Sequence, residues 1–99
     1  MKAVKTSIEG VLIIEPETFS DERGFFMETW NKDIFQKITG ANINFVQDNY
    51  SFSYKNILRG LHYQLDNPQG KLVRVSSGSV LDVALDLRKS STTFGQYTS

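Results

Sequence analysis

Short stretches of alternating or apolar residues, each cut off by turn chemistry, recur along the chain and leave room for little but strands. Val80 to Leu87 is the plainest of them. Leu81, Val83, Leu85 and Leu87 share one face, and Asp82 and Asp86 lie on the other. A period of two with one wholly apolar face marks a half-buried strand, so that face is expected to be core. Lys71–Ser76 is expected to pair with Val80–Arg88 as a hairpin across Ser77-Gly78-Ser79. Val11–Ile14 reads as a strand that ends at Pro16 or lies at an edge, because proline cannot donate to a ladder. Ser20-Asp21-Glu22-Arg23-Gly24 carries turn chemistry, and Phe25–Trp30 alternates after it, with Phe26, Glu28 and Trp30 on one face. Phe45–Ser53 and Leu58–Gln64 read as further strands, and Phe94–Ser99 as the opening of another.

One segment breaks the pattern. From Asn31 to Ile38, Ile34, Phe35 and Ile38 form a one-sided stripe at helical spacing, Asn31 suits an N-cap and Gly40 is placed to end the helix. About two turns is too short to stand without packing on something. The expectation is therefore a single domain over residues 1–99, mainly β, with one short helix. Closely spaced strands with turn signals point to an antiparallel sandwich or barrel. The chain stops before such a barrel would close, leaving strand edges and the Leu81–Leu87 face uncovered.

Composition narrows the function. Lysine plus arginine number 11, as do aspartate plus glutamate, and zero net charge removes the case for nucleic-acid binding driven by phosphate neutralisation. Without cysteine there is no disulfide framework and no zinc–thiolate site. No apolar run approaches a membrane span, and Met1–Lys5 has no signal-peptide apolar core, so the default location is the cytoplasm.

Chemistry concentrates in Arg59-Gly60-Leu61-His62-Tyr63-Gln64, which holds the single histidine, with Lys71 seven residues on. An imidazole takes up a proton near neutral pH, an ammonium stabilises developing negative charge, and a guanidinium forks onto phosphate oxygens. Upstream, Gln47, Asn49, Ser51 and Ser53 fall on one face of the Phe45–Ser53 segment. Solvent faces usually carry Lys, Glu or Arg; this one carries amides and hydroxyls, which favours a polar, ligand-lined interior. The whole inventory suits an anionic, oxygen-rich ligand from which a proton is moved. Against it stands the plain reading of a structural histidine beside a common Arg-Gly turn.

The stretches Phe19-Ser20-Asp21-Glu22-Arg23-Gly24-Phe25-Phe26-Met27-Glu28, Phe45–Ser51, Leu58–Gln64, Gln69–Val75 and Asp82–Arg88 resemble, in order, the dTDP-4-dehydrorhamnose 3,5-epimerase family. The resemblance covers the chain and about the first half of a typical member. It implies a cupin-like jelly-roll barrel, here incomplete, usually a homodimer, acting in the rhamnose pathway that feeds lipopolysaccharide and other surface polysaccharides. The implied substrate is a dTDP-4-keto-6-deoxy sugar, epimerised at C3 and C5 by proton abstraction beside the ketone. The resemblance makes His62 the base and Lys71 the partner of the enolate oxygen. Arg23, Phe26, Glu28, Gln47, Asn49, Ser51 and Arg59 become substrate contacts, with Arg23 placed near the partner subunit's site. The family's acid, a Tyr, and the Asp that orients its base belong to the second half. No cofactor is implied. Metal-binding cupins use a His-x-His pair, and Gln64 at the second position makes a poor transition-metal site, so no metal is expected. The alternatives are a catalytically incomplete sugar-nucleotide-binding cupin fragment, or a related 3- or 5-only epimerase. Because strict alternation would send Arg59 and His62 to opposite faces, an irregularity is expected at Gly60.

Overall fold

A computed structural model describes all 99 residues. It is mainly β, with antiparallel strands and one helix: β1 (Lys2–Lys5), β2 (Leu12–Glu15), β3 (Thr18–Asp21), β4 (Gly24–Met27), α1 (Lys32–Thr39), β5 (Ala84–Leu85) and β6 (Tyr97–Thr98). The strands pair as three separate two-stranded sheets, β1 with β2, β3 with β4 and β5 with β6. No barrel or sandwich closes. The chain divides into two compact units, one of residues 1–45 with 81–99 and the other Val46–Val80.

In the first unit, β1 and β2 run antiparallel with Val4 opposite Ile13, and a surface ion pair of 2.8 Å joins Lys2 to Glu15 across the ribbon's open end. The connecting loop is tied by Thr6, whose hydroxyl donates to the Val11 and Ile8 carbonyls at 2.9 and 3.1 Å. That loop buries Ile8. The strand ends at Glu15, ahead of Pro16, as the missing proline donor requires.

Helix α1 has the expected ends. The Asn31 side chain accepts the Ile34 N–H at 3.2 Å, and Gly40 sits at φ 73°, closing the helix with a bond from its N–H to the Gln36 carbonyl. An L side chain is strained at that φ, which is the reason for glycine there. The helix lies against β1 and buries Phe35. Phe35, Trp30 and Phe45 form a three-ring cluster, with centroids 5.0 Å (Trp30–Phe35), 5.1 Å (Trp30–Phe45) and 6.0 Å (Phe35–Phe45) apart. These spacings fall in the range of favourable tilted and edge-to-face ring pairs.

Several expected strands do not form. Phe45–Ser53, Leu58–Gln64 and Lys71–Ser76 carry no ladder. The hairpin of Lys71–Ser76 with Val80–Arg88 is absent; within the latter only Ala84 and Leu85 form a strand, opposite Thr98 and Tyr97. The Phe25–Trp30 strand stops at Met27. Alternation decides which face a residue takes, but a strand exists only where a second strand takes up its N–H and C=O groups. The expected core face is likewise open, with Leu81 82% and Leu87 48% exposed.

A different feature organises residues 84–98. Asp86, assigned by alternation to the polar face, is buried. Its backbone pairs with the far limb, the Asp86 N–H to Gln96 O at 2.9 Å and the Gly95 N–H to Asp86 O at 2.8 Å. Its carboxylate accepts the Arg88 N–H (3.0 Å), Arg88 Nε (2.9 Å), Arg88 Nη2 (2.8 Å), Ser91 Oγ (2.6 Å) and Thr93 Oγ1 (2.7 Å). Hydrogen bonds to the charged form hold this carboxyl far below the usual carboxylate range, the guanidinium contributing most and then the two hydroxyls.

Candidate functional site

In the first unit the expected contacts sit on and beside the β3–β4 ribbon. Arg23 occupies the turn between the strands. Asp21 Oδ1 accepts the Arg23 backbone N–H at 2.9 Å, and Oδ2 accepts Nε at 3.2 Å and Nη2 at 2.6 Å. An Asp bonding the backbone two residues on is the usual reason for aspartate at such a turn. The Arg23 guanidinium holds Asp21 below the carboxylate range, and the same pairing raises Arg23. Phe26 stands on β4 opposite Phe19. Arg23 and Phe26 come together in the lining of one open hollow of about 440 Å³, with Phe19, Asp21 and Phe25.

Glu28 follows β4 and is exposed. Its Oε2 accepts from Asn31 Nδ2 at 3.2 Å. The N-cap residue thus uses its oxygen for the helix and its nitrogen for Glu28.

The second unit carries the rest. Gln47 and Asn49 lie side by side, Gln47 Nε2 donating to Asn49 Oδ1 at 3.0 Å, so the expected common face persists without a ladder. Ser51 is exposed beyond them. Arg59 donates Nε to Ser53 Oγ at 2.9 Å and Nη2 to the Phe52 carbonyl at 2.8 Å. Gln64 Oε1 accepts the Gln69 N–H at 3.3 Å, closing the loop that leads to Lys71. His62 and Lys71 are both exposed.

The irregularity expected at Gly60 is present. Gly60 has φ 106°, which L side chains rarely adopt. A Cβ there would lie 3.3 Å from His62 Nδ1 and 3.4 Å from the His62 backbone nitrogen. The bare Cα therefore permits the positive φ and leaves room beside the His62 ring. The Asp86 cluster went unrecognised in the sequence although its signal was there: Asp86-Leu87-Arg88 repeats the Asp-x-Arg spacing of Asp21-Glu22-Arg23.

Residues 5–99 match the family model described as dTDP-4-dehydrorhamnose 3,5-epimerase. A protein of that name from Methanothermobacter thermautotrophicus is 58% identical over 95 residues, which cover 96% of this chain and 51% of that protein. One from Salmonella typhimurium is 56% identical over 98 residues, 98% of this chain and 54% of that protein. The crystal structure of dTDP-4-dehydrorhamnose 3,5-epimerase from Elizabethkingia anophelis superposes with a TM-score of 0.73 at 41% identity, covering 99% of this chain and 54% of that one. The chain spans about half the length of the curated relatives it matches. By the match across residues 5–99 and these identities, the chain belongs to the dTDP-4-dehydrorhamnose 3,5-epimerase family.

Proposed function

We propose that this chain contributes the base and the nucleotide-binding half of a dTDP-4-dehydrorhamnose 3,5-epimerase. The observation that carries the reading is the 58% identity to a relative of that name across nearly the whole chain, and the motifs by which the chain resembles the family hold His62, Lys71, Arg23 and Arg59. The substrate is a dTDP-4-keto-6-deoxy sugar. His62 removes the proton from a carbon flanking the ketone. The electron pair of the broken C–H bond moves into the enolate, whose oxygen carries the charge beside the Lys71 ammonium. A proton returned on the opposite face inverts the carbon, and the sequence repeats at the other flanking carbon. Arg23 and Arg59 take the diphosphate; Phe26, Glu28, Gln47, Asn49 and Ser51 contact the rest of the nucleotide sugar.

Residues 1–99 form the N-terminal part of a single cupin-type jelly-roll barrel, working as a homodimer with an exchanged N-terminal strand. Its products serve surface polysaccharide, including lipopolysaccharide. No helix is long and apolar enough to cross a membrane, and the place of action is the cytoplasm.

A second reading applies to these residues in isolation. His62 has no carboxylate partner to orient its ring, and the chain spans about half the relatives' length. A base without an orienting group loses much of its effect. The 99 residues alone bind thymidine diphosphate weakly and turn over little.

The experiment is deuterium incorporation from heavy water into the 4-keto sugar nucleotide, followed by mass spectrometry. His62→Ala abolishes exchange with nucleotide binding nearly intact. Lys71→Ala slows exchange severely, and Arg59→Ala mainly weakens binding. Exchange that survives His62→Ala defeats the assignment of the base.

A further inference from the structure

We propose that Asp21 and Ser53 are positioning residues, each holding its own arginine, Arg23 or Arg59, in the orientation that takes a phosphate oxygen of a nucleoside diphosphate, each within its own unit of the chain. The proposal rests on the reading of those arginines as diphosphate contacts. A guanidinium offers two edges for paired hydrogen bonds, Nε with Nη2 and Nη1 with Nη2. In both arginines the first edge is taken from within the chain. Asp21 Oδ2 holds Nε and Nη2 of Arg23 at 3.2 and 2.6 Å. Ser53 Oγ and the Phe52 carbonyl hold Nε and Nη2 of Arg59 at 2.9 and 2.8 Å. The second edge of each stays open on an exposed residue.

Arg88 shows what the same grip looks like when it is structural. Asp86 takes its Nε–Nη2 edge, and that carboxylate is itself buried and shared with Ser91 and Thr93. The grips on Arg23 and Arg59 lie wholly on exposed residues.

The two grips also differ in charge. Asp21 places a carboxylate against Arg23, which leaves that pair little net field and gives it direction above all. Ser53 and the Phe52 carbonyl are neutral, so Arg59 keeps its full charge for long-range attraction. In both cases a long side chain is already held in one orientation before an anion arrives. Freezing such a side chain on binding would otherwise weaken affinity by about threefold to tenfold.

The test is calorimetric titration of thymidine 5′-diphosphate, and separately of thymidine, into the protein and its Asp21→Ala, Ser53→Ala, Arg23→Ala and Arg59→Ala variants. Asp21→Ala and Ser53→Ala each weaken diphosphate binding about threefold to tenfold and leave thymidine binding unchanged. Ser53→Thr, which keeps the hydroxyl, restores it. The double variant Ser53→Ala with Arg59→Ala binds no more weakly than Arg59→Ala alone, since a positioning residue acts only through what it positions. If Asp21→Ala and Ser53→Ala bind the diphosphate as tightly as the parent, or more tightly, while the arginine variants bind it less well, the positioning role is overturned and the diphosphate reading stands. If the arginine variants also bind it unchanged, both fall together.

Discussion

Asp86 accepts the backbone N–H of Arg88 and its guanidinium on one side chain, and Asp21 pairs with Arg23 at the same spacing, but Oδ1 and Oδ2 divide Nε and Nη2 of Arg88 where Oδ2 alone takes both from Arg23. The first clasp is buried and closed by Ser91 and Thr93; the second is open to solvent. The same sequence spacing thus gives a buried network in one place and a surface pair in the other.

Asp86→Ala is expected to lower the midpoint of thermal unfolding by about 5–10 °C, because Arg88, Ser91 and Thr93 lose their shared acceptor at once. The pH dependence has a definite sign. Asp86 titrates far below the ordinary carboxylate in the folded chain, so its contribution is complete above the unfolded value of about 3.9 and drains away as the pH falls further. Circular dichroism melts of the parent between pH 5 and 2 should show a steep loss, and Asp86→Asn a shallower one. Equal slopes would remove Asp86 from the account.

Gly60→Ala places a methyl against His62 on a backbone at φ 106°. If His62 is the base, as proposed, deuterium exchange into the substrate falls by on the order of tenfold or more, with diphosphate affinity changed far less. A wild-type exchange rate in this variant would show that the imidazole does not depend on Gly60.

Asn31→Ala breaks two bonds at once, the cap on α1 and the hold on Glu28. The helix should lose about 1 kcal/mol. Asn31→Ser keeps a capping oxygen but no amide, so it separates the two roles. Helicity should survive in Asn31→Ser while substrate affinity drops as in Asn31→Ala. Matching affinities for Asn31→Ser and the parent would dissociate Glu28 from Asn31.

An oligomer is expected in solution. Leu81, Tyr50, Phe52, Leu58 and Leu61 are all more than half exposed, and soluble monomers rarely leave so much apolar surface uncovered. Static light scattering at micromolar concentration should return a dimer or larger. A stable, soluble monomer would count against both the homodimer and the need for a covering chain.

What was legible in the sequence was local. Asn31, the Ile34–Phe35–Ile38 stripe and Gly40 gave the helix and both its ends, since caps act within a turn. Asp21 to Gly24 gave the β3–β4 turn for the same reason. The Val46–Val80 segment gave faces without partners: Gln47 and Asn49 do share a side, yet no ladder forms over them. Pairing is a relation between distant residues, and one strand's alternation says nothing about its neighbour. At the site, residue types pointed to anion and proton chemistry; the grip on Arg23 has a local Asp-x-Arg signal, while that on Arg59 reaches back six and seven residues to Ser53 and Phe52, beyond what local spacing encodes. Asp86 was missed because alternation assigned it a face by parity, whereas its own carboxylate folds the chain around it.

The clasp at Asp86 also bears on the timing of synthesis. Its donors and backbone partners all lie between Asp86 and Gln96, so nothing further along the polypeptide has to emerge before this loop can knit itself. Contacts so close in sequence form quickly. On a ribosome delivering residues from the N-terminus onward, this loop would take shape within moments of leaving the exit tunnel. It would then hold β5 and β6 in register from the start.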